Sequence, residues 1–146
     1  TTNGTVALRM AADAKRVYIA SLLNNASTAK HISETHKEET IIIVCSGNSG
    51  ELSLEDFYGA GHLISCFEQS IGKLDLNDAA KAAAAIFKQG DKNPYEQLSN
   101  SYVGQLILNY GFNEDLKLAA SIGAAEIIAV LKGERVVAEH TGELKC

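Results

Sequence analysis

Residues 40–50 read TIIIVCSGNSG. From Ile41 to Cys45 every side chain is apolar, and four of the five are β-branched. Ser46–Gly50 then contains only small or polar residues. A strand with one wet face alternates apolar and polar side chains. A continuous apolar run predicts instead a strand buried on both faces, as in a parallel sheet. Such a strand needs cover on each side, so this short run commits the chain to α/β layering.

The rest of the sequence supplies that cover. TVALRMAADA predicts a helix from Thr5 to Ala14, RVYIA a short strand over Arg16–Ala20, and SLLNN a loop. A helix follows from Ala26 to about Lys37. Between Ser53 and Ile71, Phe57, Ala60, Ile64, Phe67 and Ile71 recur at helical spacing and form one buried stripe. NDAAKAAAAIFKQ predicts a helix capped by Asn77 or Asp78. Pro94 opens another, at a position where its missing N–H costs nothing. SYVGQLILNYG continues it to Gly111, and NEDLKLAASIG runs from Asn113 as N-cap to Gly123. EIIAVL and ERVVAEH end the pattern as strands joined by a tight turn at Lys132-Gly133. The expected architecture is one α/β domain over residues 1–146. It is three-layered, α/β/α, with a central, largely parallel or mixed sheet. Four strands are few for so much helix, and a further strand ahead of Thr1 would relieve the shortage.

Composition narrows the partners. With 146 residues, 46% of them hydrophobic, the chain buries a substantial core. No apolar run approaches the roughly 18 residues of a membrane span, so no membrane is expected as partner. The net charge is -5 and arginine occurs only at Arg9, Arg16 and Arg135. That argues against nucleic acid, whose phosphates must be neutralised. Cys45, Cys66 and Cys146 form no CxxC pair, so a reduced, cytoplasmic setting is the simplest reading. An acidic protein still binds an anion where backbone N–H groups, a helix N-terminus or a metal cation help it.

Two segments have that character. TTNGT (Thr1, Thr2, Asn3, Gly4, Thr5) runs into a helix, and Ser46, Gly47, Asn48 and Ser49 leave the apolar strand and run into the next one. Glycine admits close approach of the backbone, and the hydroxyl and amide side chains add neutral donors. Each segment also reads as an ordinary turn and helix cap. Named phosphate loops do not match. The spacing after Gly47 puts Leu52 and Ser53 where a Walker loop needs Gly and Lys, and Glu51 stands where a cysteine phosphatase needs Arg. In SLED, Ser53 and Asp56 imitate a capping box. Alternatively, Glu55 or Asp56 reaches a Mg²⁺ lying over the phosphate loop, since Mg²⁺ takes one or two carboxylates. His62, between apolar neighbours, reads as a partly buried, hydrogen-bonded histidine, and His31, His36 and His140 read as surface.

Taken together, TTNGT, SLLNNAS, IIIVCSGNSGELSLEDFYGAGHLI, LNDAAKAA and SYVGQLILNYGFNEDL resemble the 2-phosphosulfolactate phosphatase family, in family order from Thr1 to at least Leu116. The resemblance implies a Mg²⁺-dependent phosphatase of a distinct α/β fold, acting on 2-phospho-3-sulfolactate on the route to coenzyme M or on another small 2-phospho acid. It also implies a longer polypeptide, of which these residues form the C-terminal part. Upstream segments like Asp-Val-Leu-Arg-Ala-Thr-Ser and Gly-Gly-Glu-Arg would carry a cation and further carboxylates, and a pair of subunits is plausible. Ser46 and Asn48 stand where the family usually has Ala and Thr. On this reading residues 1–5 and Ser46–Ser49 hold the phosphoryl oxygens, with Asn3 in a catalytic role. Asp56, with Glu55 behind it, binds or orients the metal and its water. The rival reading is a non-catalytic anion-binding or interaction domain that keeps the fold.

Overall fold

The computed structural model describes residues 2–90 and 93–139. Its elements run α1 (Thr2–Ala11), β1 (Tyr18–Ile19), α2 (Asn25–Thr35), α3 (Leu54–Ile71), α4 (Asp78–Gln89), α5 (Pro94–Ser99), α6 (Tyr102–Asn109), α7 (Asn113–Ala119), β2 (Ile128–Lys132) and β3 (Arg135–Glu139). The α/β class holds, but the sheet differs from the expected one. Among the described residues it has three strands in the order β1-β2-β3, and both pairings are antiparallel. The β2–β3 hairpin turns at Gly133, whose φ of 59° suits glycine. The expected strand over Arg16–Ala20 pairs only at Tyr18 and Ile19.

The largest departure is the run on which the fold was argued. Residues 40–47 form neither helix nor strand. Ile43 and Cys45 pack inward against the clusters built on α3, while Ile42 is 82% and Val44 57% exposed. Burial alternates with period two, as in an extended chain covered on one face.

α3 is the central element, packed between α2 and α4. It buries two faces rather than one stripe. Leu63, Cys66 and Phe67 meet Ala29 and Ile32 of α2, and Ala60 and Ile64 meet Ala83 and Ala84 of α4. Ile71, expected on the stripe, is exposed because α3 ends there on Gly72. α4 approaches closely because Gly61 has no side chain. A Cβ there would lie 2.1 Å from the Ala83 carbonyl oxygen. A third cluster joins Tyr58 to Leu22, Leu98 and Leu116.

The helix starts follow local chemistry. Asn77, Asn93 and Ser101 cap α4, α5 and α6 by accepting from the N–H groups of Ala80, Tyr95 and Gly104. The Ser101 cap breaks what the sequence presented as one helix from Pro94 to Gly111. Asn113 is the first residue of α7, and Phe112 takes the cap position.

SLLNN proved to be more than a loop. Asn24 accepts from the Ser21 N–H and donates to the carbonyls of Ile19 and Ile127. It thereby ties β1 to the segment entering β2. Asn25, 1% exposed, donates to the Gly59 carbonyl and to His62 Nδ1. His31 and His36 are half-buried rather than superficial, and both contact the Tyr18 hydroxyl, at 3.3 and 2.8 Å. His140 and Cys146 lie outside the described residues.

Candidate functional site

The loop after Cys45 is a tight reversal. Asn48 and Glu51 exchange both backbone hydrogen bonds at 3.0 Å. Three residues with positive φ make the turn: Gly47 at 66°, Ser49 at 53° and Gly50 at 85°. Ser49 is the costly one, since a residue with a Cβ is strained in this region.

Ser53 occupies the N-cap position of α3, yet its hydroxyl caps no helix N–H and donates to Glu55 Oε1 at 2.9 Å. The capping box that SLED imitates is therefore not formed. Asp56, three residues on, turns instead to the loop, where Oδ2 accepts the Gly47 N–H at 2.7 Å. Burial pushes its carboxyl above the usual value, the Gly47 N–H pulls it back, and Glu55 pushes it up again. A backbone bond to Ser46 lowers it further. No cation is among these influences. Burial, with a smaller push from Asp56, also raises the Cys45 thiol, which disfavours a thiolate nucleophile there.

The two polar segments meet. Asn3 Nδ2 donates to Asn48 Oδ1 at 3.3 Å across 45 residues of sequence. They do not meet as two loops, however. α1 begins at Thr2, so Asn3, Gly4 and Thr5 belong to its first turn rather than to a loop ahead of it. Thr1 lies outside the described residues. Gly4, Thr5, Ser46, Glu55 and Asp56 line a cleft of about 960 Å³. Asn3 and Asn48 are half-buried, and Ser49 is exposed.

Sequence reasoning missed two basic residues of this cleft. Lys15 and Arg16 line it, with Lys15 ion-paired to Glu39. Their place between a helix and the first strand was the available signal; Arg9 is exposed on α1. Among the described residues no group of three or more His, Cys, Asp and Glu side chains converges as a metal cage. Glu55 and Asp56 still fit Mg²⁺. They are adjacent carboxylates, each accepting a hydrogen bond on one named oxygen, and Mg²⁺ needs no more than one or two such ligands beside water and phosphate oxygens.

The family model for 2-phosphosulpholactate phosphatase matches residues 1–134. A probable 2-phosphosulfolactate phosphatase of Caldicellulosiruptor saccharolyticus is 36% identical over 120 residues, 80% of this chain and 50% of its own. A protein of the same description from Symbiobacterium thermophilum is 34% identical over 94% of this chain and 58% of its own. One from Thermus thermophilus is 34% identical over 91% and 55%. The chain thus spans about half the length of these relatives.

Proposed function

The chain belongs to the 2-phosphosulfolactate phosphatase family, and from that premise we propose that it forms part of a Mg²⁺-dependent phosphatase for a small 2-phospho acid such as 2-phospho-3-sulfolactate. The observation that carries the reading is the diversion of Asp56. An N3 carboxylate of α3 leaves its helix end and is held by the Gly47 N–H in a positive-φ turn that Asn3 also reaches.

Phosphoryl transfer from a monoester is mostly positioning and charge neutralisation. In this reading Asn3, Ser46, Asn48 and Ser49, with the first-turn N–H groups of α1, bind and orient the phosphoryl oxygens. Their neutral donors suit an anion on an acidic protein. Asp56 and Glu55 hold the Mg²⁺ when it is bound, and it supplies the positive charge at the transferring group. Glu55 is steadied by the Ser53 hydroxyl, and Asp56 by Gly47. In the family-length protein we place Ile41–Cys45 in the central strand layer of a three-layer α/β/α sheet, with the site at its C-terminal end.

The test is phosphate release from 2-phospho-3-sulfolactate, with and without Mg²⁺. It uses this chain and the intact Symbiobacterium relative, each as wild type and with Asp56→Asn, or its aligned counterpart. The expected loss on Asp56→Asn is at least about 100-fold in turnover. Unchanged turnover in the variant overturns the site assignment. Phosphate binding without hydrolysis in any sample favours the anion-binding reading.

A further inference from the structure

We infer that Asn25 is a positioning residue for Glu55 and Asp56: its amide splints α3 across the two glycines that follow those carboxylates. The functional part of the inference rests on the reading of Glu55 and Asp56 as the metal-holding pair. Both stand in the first turn of α3, and Gly59 and Gly61 come after them in the same helix. Glycine is the weakest helix former after proline, so two of them in three positions make a soft point just behind the site. Gly61 is needed there, because α4 approaches it closely. Gly59 is not, since a Cβ at that position meets nothing within 4 Å.

Asn25 brackets the soft point. Its Nδ2 donates to the Gly59 carbonyl at 3.0 Å and to His62 Nδ1 at 3.1 Å. Chemistry fixes the orientation of the amide. Turned the other way, its oxygen would face the Gly59 carbonyl, acceptor against acceptor. Neutral His62 then carries its hydrogen on Nε2, which faces Cys66 Sγ at 3.5 Å. Gly59, His62 and Cys66 recur at helical spacing, so one buried side chain heads a polar row along one face of α3.

A splint must itself be anchored, and Asn25 is. Its backbone N–H donates to the Ser21 carbonyl at 2.9 Å. The neighbouring Asn24 amide donates to the carbonyls of Ile19 in β1 and Ile127 ahead of β2. The sheet is thus bonded through residues 24 and 25 to Gly59. The remaining step to the site is short. In an α-helix the Gly59 N–H bonds to the Glu55 carbonyl, so the residue that Asn25 holds is one hydrogen bond from the backbone of the carboxylate pair. Asn25 also lines the same cleft as Glu55, Asp56 and Gly59. A buried asparagine that merely stabilised the fold would protect every element alike. A splint protects the start of α3 and the loop contact made from it.

Amide hydrogen exchange of this chain, without metal or substrate, separates the two. The readout is Gly47, whose N–H is bonded to Asp56 Oδ2, against the amides of β2 and β3. Asn25→Leu keeps the approximate shape and removes both donors. Asn93→Ala, which removes the α5 cap, is the general destabiliser. Gly47 protection should fall at least about tenfold in Asn25→Leu, more than at β2 and β3, and stay unchanged in Asn93→Ala. Gly59→Ala stiffens the soft point itself. Added to Asn25→Leu, it should return at least about threefold of the protection at Gly47, and less at β2 and β3. Where Asn25→Leu does not fold alone, the double variant is compared with Gly59→Ala and the same amides decide. Unchanged protection at Gly47 overturns the inference. A loss shared equally by Gly47, β2 and β3 overturns it too. Turnover plays no part in these measurements, so failure of the phosphatase reading would show in phosphate release and failure of the splint in the amides.

Discussion

Gly47 and Gly50 make a matched pair of perturbations in the loop that positions Asp56. Both have positive φ, at 66° and 85°, so alanine at either carries the backbone strain of a left-handed residue, about 1–2 kcal/mol. They differ in what the new Cβ meets. At Gly50 nothing lies within 4 Å. At Gly47 the Cβ falls 2.7 Å from the Glu51 carbonyl oxygen, closer than the 3.0 Å that real Cβ contacts respect. That oxygen cannot retreat without breaking its bond from the Asn48 N–H. Relieving such an overlap costs about 1–3 kcal/mol more. Gly50→Ala should therefore lose about 1–2 kcal/mol and Gly47→Ala about 2–5 kcal/mol in urea unfolding. A second readout ties the loop to the site. The Gly47 N–H is the larger of the two backbone bonds, the other to Ser46, that lower the Asp56 carboxyl against burial and Glu55. Its displacement should move the Asp56 titration, followed by carboxyl NMR, further upward in Gly47→Ala and leave it in place in Gly50→Ala. Equal destabilisation by the two variants, with Asp56 unmoved in both, would refute the reasoning.

Two further outcomes concern the body of the fold. Gly61→Ala places a Cβ 2.1 Å from the Ala83 carbonyl oxygen and 2.6 Å from Phe87 Cβ. It should cost about 3 kcal/mol by forcing α3 and α4 apart. Gly59→Ala, two residues earlier with open space around it, should stabilise the same helix by up to about 1 kcal/mol. Thermal unfolding of the two variants should move in opposite directions. His62 should make stability depend on pH, since burial holds its imidazole below the ordinary value of 6.5 and Nδ1 must stay unprotonated to accept from Asn25. As pH falls, the unfolded chain takes up that proton first. The contribution is thus complete above about pH 6.5 and is lost as pH falls from there through the folded value, by at most about 1.4 kcal/mol per unit. Urea midpoints at about pH 7.5 and 5.5 should differ less in His62→Gln than in the parent.

What was legible in the sequence was local chemistry with a nearby partner. Asn77 capping α4, Pro94 opening α5 and the hairpin at Gly133 each depend on residues within a few positions. Their outcome scarcely depends on the rest of the chain. Asn24 and Asn25 were misjudged because their partners, Ile127, Gly59 and His62, are distant in sequence. A buried asparagine joining two strands and a helix has the same spelling as a polar loop. SLED failed for a related reason. The capping-box pattern is present, but Asp56 has a competing donor nine residues back at Gly47, and local spacing cannot rank a helix cap against a loop amide.

Ile41–Cys45 differs from those misjudgements. Its composition specifies a strand covered on both faces, whereas the fold of the described residues covers one. Sequence and structure disagree here over what lies next to the segment, not over what the segment is. Burial that alternates from Ile42 to Cys45 and outward β-branched side chains are in place, and hydrogen-bonded neighbours are lacking among the described residues. Burying the outward faces of Ile42 and Val44 would be worth roughly 1.5–3 kcal/mol for each side chain. A chain gains that only if another strand arrives.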